Sequence, residues 1–129
     1  MRDYKFRAWD TESEMWLQIT AFDTKESRES DGYTLEGVFH DGDYAGYEGI
    51  VLMQWTGLYD RNGKEIYEGD IAKSGKRLFV AKWNDDIASF VWEPLDGESS
   101  YPCFNVGTVK NMEIVGNVFE NPELLEGED

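Results

Sequence analysis

The sequence predicts a mainly β fold, and three observations carry that prediction. Apolar residues alternate with polar ones over short stretches, as at Tyr4, Phe6 and Ala8, which is the period of a strand with one buried face. Turn-forming residues separate these stretches, and Asn62-Gly63 is the strongest hairpin signal among them. Short, aromatic-rich strands with turns between them indicate a small barrel.

The first third of the chain is expected to open with a hairpin. Its strands are predicted at residues 4–8 and 15–19, with a polar turn between Asp10 and Glu14. The following segment, residues 20–49, carries eight acidic residues and two basic ones, so we expect an acidic, loop-rich region. Because a long structureless loop is uncommon in a compact domain, at least one short strand is expected around residues 33–39. Residues 40–43 form its predicted turn.

The rest of the chain is expected to form a series of short strands. Residues 50–56 are the most apolar segment and predict a central strand. Tight turns are predicted around Asp60 to Gly63 and in a hairpin loop at residues 73–77, and Glu68 to Asp70 is either a second tight turn or the entry to a strand. Further strands are predicted at residues 78–83, 88–92 and 112–119. After them, Asn121-Pro122-Glu123 has the residue types that begin a helix, here only about two turns long.

Composition limits the classes of function. The 129 residues are one ordinary domain's length, and 27 acidic against 12 basic residues give a net charge of −15. That charge argues against direct binding to nucleic acid or to an anionic membrane. The single cysteine, Cys103, excludes an internal disulfide and is expected to be a small buried hydrophobe. We expect a cytoplasmic protein without a targeting or membrane-spanning segment.

Three stretches of the sequence resemble one known family. They are YKFRAWD at residues 4–10, LMQWTGLYDRNGKEIYEGDI at residues 52–71, and VGNVFENPELL at residues 115–125. In this order and spacing they are similar to the YopX-like family of phage and prophage proteins. The central block is the most specific of the three.

The resemblance implies a two-part architecture and little chemistry. It implies a β-rich N-terminal subdomain, residues 1–66 with the acidic loop at 20–49, followed by an SH3-like barrel subdomain, residues 67–129 with a C-terminal helical turn. It carries over no catalytic residue and no cofactor. It also implies a phage or prophage accessory protein that acts in a bacterial host cell.

The central block contains a candidate interaction surface. Its polar residues lie near a predicted hairpin and turn; they are Gln54, Thr56, Asp60, Glu68 and Asp70. The interpretation we favour is structural, because such residues commonly cap turns while neighbouring glycines satisfy backbone geometry.

No residue pattern supports catalysis or metal binding. His40, Asp41 and Asp43 offer three oxygen or nitrogen ligands on one loop, and Asp85-Asp86 offer a further pair, but the spacing matches no calcium loop. We therefore predict no catalytic residue, no metal and no cofactor. A metal-dependent hydrolase using Asp41, Asp43 or Glu68 is the least favoured function.

Aromatic and acidic surfaces suggest a binding protein. Some predicted strands carry aromatic residues on both faces, so the second face must meet another part of the chain or another subunit. We expect a non-catalytic module that binds a host or phage protein, with self-association left open. The alternative is an acidic DNA mimic that inhibits a host nucleic-acid-binding protein.

Overall fold

A computed structural model describes residues 3–27, 29, 32–98 and 100–126. Strands account for 54% of these described residues and helical segments for 10%, which confirms the mainly β class. The strands of the described residues are β1 (Phe6–Asp10), β2 (Met15–Leu17), β3 (Ile19–Glu26), β4 (Tyr33–His40), β5 (Asp43–Gly46), β6 (Ile50–Tyr59), β7 (Glu65–Tyr67), β8 (Asp70–Ser74), β9 (Arg77–Asn84), β10 (Ser89–Pro94) and β11 (Glu113–Asn117). The helical segments are α1 (Val106–Val109) and two 3-10 helices, Tyr47–Gly49 and Pro122–Glu126.

The chain divides into two compact units. The first unit is Phe6–Met53, and the second comprises Met1–Lys5 with Gln54–Asp129. The predicted subdomain boundary between residues 66 and 67 falls inside β7 of the second unit.

The first unit contains a hairpin and a three-stranded antiparallel sheet. The predicted N-terminal hairpin is confirmed, with Ala8 paired to Leu17 in β1 and β2. Strands β3, β4 and β5 form the sheet in that order. The core of the first unit is formed by Ala8, Val38 and Ile50.

The prediction that residues 20–49 are loop-rich is wrong, because β3, β4 and β5 occupy most of the segment. Two register shifts between β3 and β4 break the period of two, and most β3 side chains are exposed. Both features weaken the alternation by which a strand is recognised. The turn predicted at residues 40–43 is confirmed, with positive φ at Asp41 and Gly42, as a two-residue hairpin turn requires.

The second unit contains the predicted hairpins and a four-stranded antiparallel sheet. Strands β6 and β7 pair around the predicted turn, where Gly63 has a φ of 80°. Strands β8 and β9 pair around Gly75, and the sheet order is β10-β9-β8-β11. Its core includes Ile66, Phe79 and Trp92, all nearly inaccessible to solvent. The strands predicted in this region are therefore confirmed.

Two local expectations need correction. Residues Pro122–Glu126 form a 3-10 helix, and the Asn121 side chain accepts from the Asn117 N–H at 3.2 Å rather than capping an α-helix. Cys103 is exposed, because its neighbour Phe104 takes the place against the core and stacks on Trp92 with ring centroids 4.6 Å apart. No helix in the described part of the chain is long and apolar enough to cross a membrane.

Candidate binding groove

Asp60, one of the predicted surface residues, is only 6% exposed and holds a turn together. Its Oδ1 accepts the backbone N–H groups of Asn62 at 2.8 Å and Lys64 at 2.9 Å, and its Oδ2 accepts that of Ile114 at 2.9 Å. Burial opposes ionisation of the Asp60 carboxyl, but these three donors outweigh it and lower its pKa. Asp60 therefore lies inside the fold and not on an accessible surface.

The other four predicted residues also make structural contacts. Asp70 is 2% exposed and accepts the Tyr67 N–H at 2.8 Å, so it too is no surface residue. Thr56 donates its hydroxyl to the Ile66 carbonyl at 2.8 Å. The Glu68 carboxylate accepts the Gln54 N–H at 2.8 Å.

Asp60 and Asp70 therefore have the structural role, capping turns, that we favoured for the polar residues of the central block. Gln54, Thr56 and Glu68 are half-buried, and their part in an interaction surface stays a prediction. Among residues 3–27, 29, 32–98 and 100–126, no three His, Cys, Asp or Glu side chains are grouped so as to hold a metal ion.

The aromatic strands meet partners within each unit. In the first unit Trp9 packs edge-to-face on Trp16 with centroids 4.9 Å apart. In the second, Phe90 contacts both Trp83 and Phe104 at 5.1 and 5.9 Å. These contacts cover part of the aromatic surface within each unit, while Trp83 stays 45% exposed.

A cavity of about 450 Å³ lies in the first unit, built from three stretches of chain. The first stretch is the end of β1 with the turn that follows it, and the second is one residue of β4. The third is the continuous run from β5 through the 3-10 helix Tyr47–Gly49. The lining residues are Asp10, Glu12, Glu36, Tyr44, Ala45, Gly46, Tyr47, Glu48 and Gly49. We call this cavity the acidic groove.

One wall of the acidic groove is fixed by backbone hydrogen bonds. The Asp10 carboxylate accepts the N–H groups of Glu12 at 2.9 Å and Ser13 at 3.3 Å, and these bonds lower its pKa. Thr11 donates both its N–H and its hydroxyl to the Gly49 carbonyl, each at 3.1 Å. The turn after β1 is thereby tied to the 3-10 helix, and Asp10 stays ionised at neutral pH.

Tyr44 is held in place across the outer face of the sheet. Its hydroxyl donates to the Asp23 carboxylate at 2.9 Å, which raises the pKa of Tyr44, and its ring packs on Phe39 with centroids 5.0 Å apart. A Cβ at Gly37 would lie 2.5 Å from the Tyr44 hydroxyl oxygen. Gly37 therefore makes room for a tyrosine that is still 47% exposed.

The acidic groove is chemically one-sided. Of its lining residues four carry carboxylates and two are tyrosines, and none is lysine, arginine or histidine. Carboxylates favour a cation, and tyrosine rings favour both the cation and the apolar stem that carries it. Such a groove suits a lysine or arginine side chain.

The sequence offered no direct signal for this site. Asp10, Glu36 and Glu48 are far apart in the chain and come together only through the hairpin and the sheet. Glu36 and Glu48 belong to the acidic segment at residues 20–49, but Asp10 lies outside it.

Comparison with known proteins now identifies the family. The model of the family described as YopX protein matches residues 5–126. The chain therefore belongs to the YopX family.

Two solved structures share the fold. A protein from Enterococcus faecalis, EF1440, is 29% identical, with a TM-score of 0.65 over 98% of this chain and 100% of that chain. The yopX protein from Bacillus subtilis is 22% identical, with a TM-score of 0.53 over 96% of this chain and 98% of that one. No curated protein matches the sequence.

Proposed function

We propose that this protein is a non-catalytic protein-binding module whose first unit holds a basic segment of a partner protein. One observation carries the proposal: a cavity of about 450 Å³ whose charged lining residues are all acidic and whose lining includes two tyrosines. The four carboxylates attract positive charge, which a lysine- or arginine-bearing segment supplies.

The charge of the whole chain supports the same partner class. A net charge of −15 attracts basic surfaces and repels acidic ones, which raises the encounter rate with a basic partner. The tyrosines supply contact area at low entropic cost, since each has only two side-chain torsions.

The family resemblance supplies the setting of the proposal. It supports a phage or prophage accessory protein that acts in the cytoplasm of a bacterial host on a host or phage protein. It also supports an SH3-like barrel for the second unit, consistent with the β8–β9–β10 meander and the return of β11 to β8. SH3-like barrels often serve as binding modules, which is an analogy of fold alone.

The test is a calorimetric titration of the protein with an N-acetylated tetra-arginine peptide at about 50 mM salt. The double variant Glu36→Gln/Glu48→Gln keeps the size of both groove side chains and removes two charges. We expect it to bind about tenfold more weakly, as two partly screened charge contacts imply. The matched control is Asp85→Asn/Asp86→Asn, which removes two exposed charges from the second unit. Equal affinity of both double variants would refute the groove as the site.

The alternative, an acidic mimic of DNA, is favoured by the charge of −15 alone. A mimic uses carboxylates spread over a long face, so neutralising Asp85 and Asp86 weakens it as much as neutralising Glu36 and Glu48. The groove proposal predicts that only neutralising Glu36 and Glu48 weakens binding. The discriminating ligand is a nucleic-acid-binding protein of the host, whose binding to the two double variants is compared.

A further inference from the structure

Strand β5 forms an open edge of the three-stranded sheet. The sheet order is β3-β4-β5, and in the part of the chain that the structure describes β5 pairs with β4 alone. The two-residue turn Asp41-Gly42 makes His40 and Asp43 the first pair of the hairpin. In such a hairpin the first pair is hydrogen-bonded, and hydrogen-bonded and non-hydrogen-bonded pairs then alternate.

This alternation fixes which backbone groups of β5 point outward. Asp43 and Ala45 direct their N–H and C=O groups at β4, so Tyr44 and Gly46 direct theirs at the open edge. The close ring contact between Phe39 and Tyr44, at 5.0 Å, fits a non-hydrogen-bonded pair, where side chains approach most closely.

The open edge and the acidic groove share residues of β5. Tyr44 and Gly46 both line the groove, and its longest wall is the unbroken run from Tyr44 to Gly49. A wall of this kind offers paired backbone donors and acceptors together with carboxylates. Those two features recognise an extended peptide with basic side chains.

We infer that an extended basic segment of a partner protein adds to β5 as a fourth strand, pairing with the outward backbone groups of Tyr44 and Gly46. Alternate side chains of an added strand point to the same face, so every second basic side chain of the segment enters the groove beside Glu36 or Glu48. The inference rests on the proposed function and adds the binding mode. A second copy of this chain fits poorly because each copy carries a charge of −15.

The first test replaces a single outward donor. Gly46→Pro removes the Gly46 N–H, and the glycine already has a φ of −68° and a ψ of 151°, which proline adopts. Gly46→Ala is the matched control, because it adds a Cβ with no atom within 4 Å and keeps the N–H. The ligand is an octapeptide that alternates arginine with threonine or valine. We expect Gly46→Pro to weaken binding about fivefold or more, the effect of one lost hydrogen bond, and Gly46→Ala to leave it unchanged.

The second test leaves the protein unaltered. The same octapeptide with N-methyl groups on alternate residues keeps its charge but loses the donors along one edge. Two methylated peptides are compared, one with N-methyl groups on the odd residues and one with them on the even residues. We expect at least one of them to bind more weakly than the unmethylated peptide, by as much as Gly46→Pro weakens binding. We also expect the Tyr44 and Gly46 amides to exchange more slowly with solvent when the unmethylated peptide is bound.

The outcomes separate the two proposals. If Gly46→Pro and both methylated peptides bind as their controls do, while Glu36→Gln/Glu48→Gln weakens binding, strand addition is wrong and the basic-segment groove stands. If Glu36→Gln/Glu48→Gln leaves the binding of both peptides unchanged, both proposals are overturned. If the tetra-arginine peptide binds and the octapeptide does not, strand addition alone is wrong.

Discussion

The Asp60 carboxylate accepts the backbone N–H of Ile114 at 2.9 Å, across 54 residues of sequence. Asp60 lies in the turn after β6, and Ile114 lies in β11, the last strand of the chain. One buried side chain therefore joins a local turn to the strand that completes the second unit's sheet. The Arg61 N–H donates to the Met112 carbonyl at 2.9 Å and strengthens the same junction.

Asp60→Ala is predicted to destabilise the protein by about 3 kcal/mol, because it leaves three buried or half-buried N–H groups without an acceptor. Urea unfolding followed by tryptophan fluorescence measures the loss. Asp85→Ala is the control, since Asp85 is exposed and should change the free energy of unfolding by less than about 0.5 kcal/mol. A similar small change in both variants would contradict the role given to Asp60.

The Asp60 contribution is predicted to depend on pH. The pKa of Asp60 is lower in the folded protein than its ordinary value of 3.8, so its ionised form stabilises the fold above that value. The contribution is lost as the pH falls through the folded pKa. The gap in unfolding free energy between wild type and Asp60→Asn should be widest near pH 7 and shrink below about pH 4. A constant gap from pH 7 to pH 3 would argue against an ionised Asp60.

Gly37→Ala is predicted to destabilise the first unit by about 1 to 3 kcal/mol, as overpacking does. The new Cβ would lie 2.5 Å from both the Ala45 carbonyl oxygen and the Tyr44 hydroxyl oxygen. Thermal unfolding measures the effect, and Gly46→Ala, with open space around its Cβ, is the control. In a Tyr44→Ala background the Gly37→Ala penalty should be smaller, because only the backbone clash remains. An unchanged penalty would show that Tyr44 does not lie over Gly37.

The carboxylates and the tyrosines of the groove are predicted to respond differently to salt. Screening shortens from about 10 Å at 0.1 M to about 3 Å at 1 M ionic strength. The affinity difference between wild type and Glu36→Gln/Glu48→Gln should therefore shrink as salt rises. The difference between wild type and Tyr47→Ala should shrink much less, because contact of the ring with the apolar stem is not screened. Calorimetry with the tetra-arginine peptide at several salt concentrations measures both, and parallel salt responses would contradict this division.

Local chemistry explains what the sequence could predict. The turn at Asn62-Gly63 and the hairpin loop around Gly75 depend on neighbouring residues alone, and the strands beside them follow. The same local logic predicted that Asp60 caps a turn. It could not reveal Ile114 as a partner, because that contact depends on how β11 returns to the sheet.

Residues 20–49 show where this logic ends. Among the apolar side chains of β4 only Val38 is buried, Leu35 is half-buried and Phe39 is exposed, and bulges interrupt the pairing of β3 with β4. The stretch therefore reads as polar loop although it forms a sheet. The acidic groove depends on that sheet, so its position was beyond reach of sequence patterns.

The most direct test of the acidic groove is a titration of the ¹⁵N-labelled protein with the tetra-arginine peptide, followed by amide chemical shifts. The account predicts shift changes concentrated at residues 10–12, 36 and 44–49, with saturation, and a strongly reduced response in Glu36→Gln/Glu48→Gln. Changes concentrated in the second unit, or no saturable change at all, would contradict it.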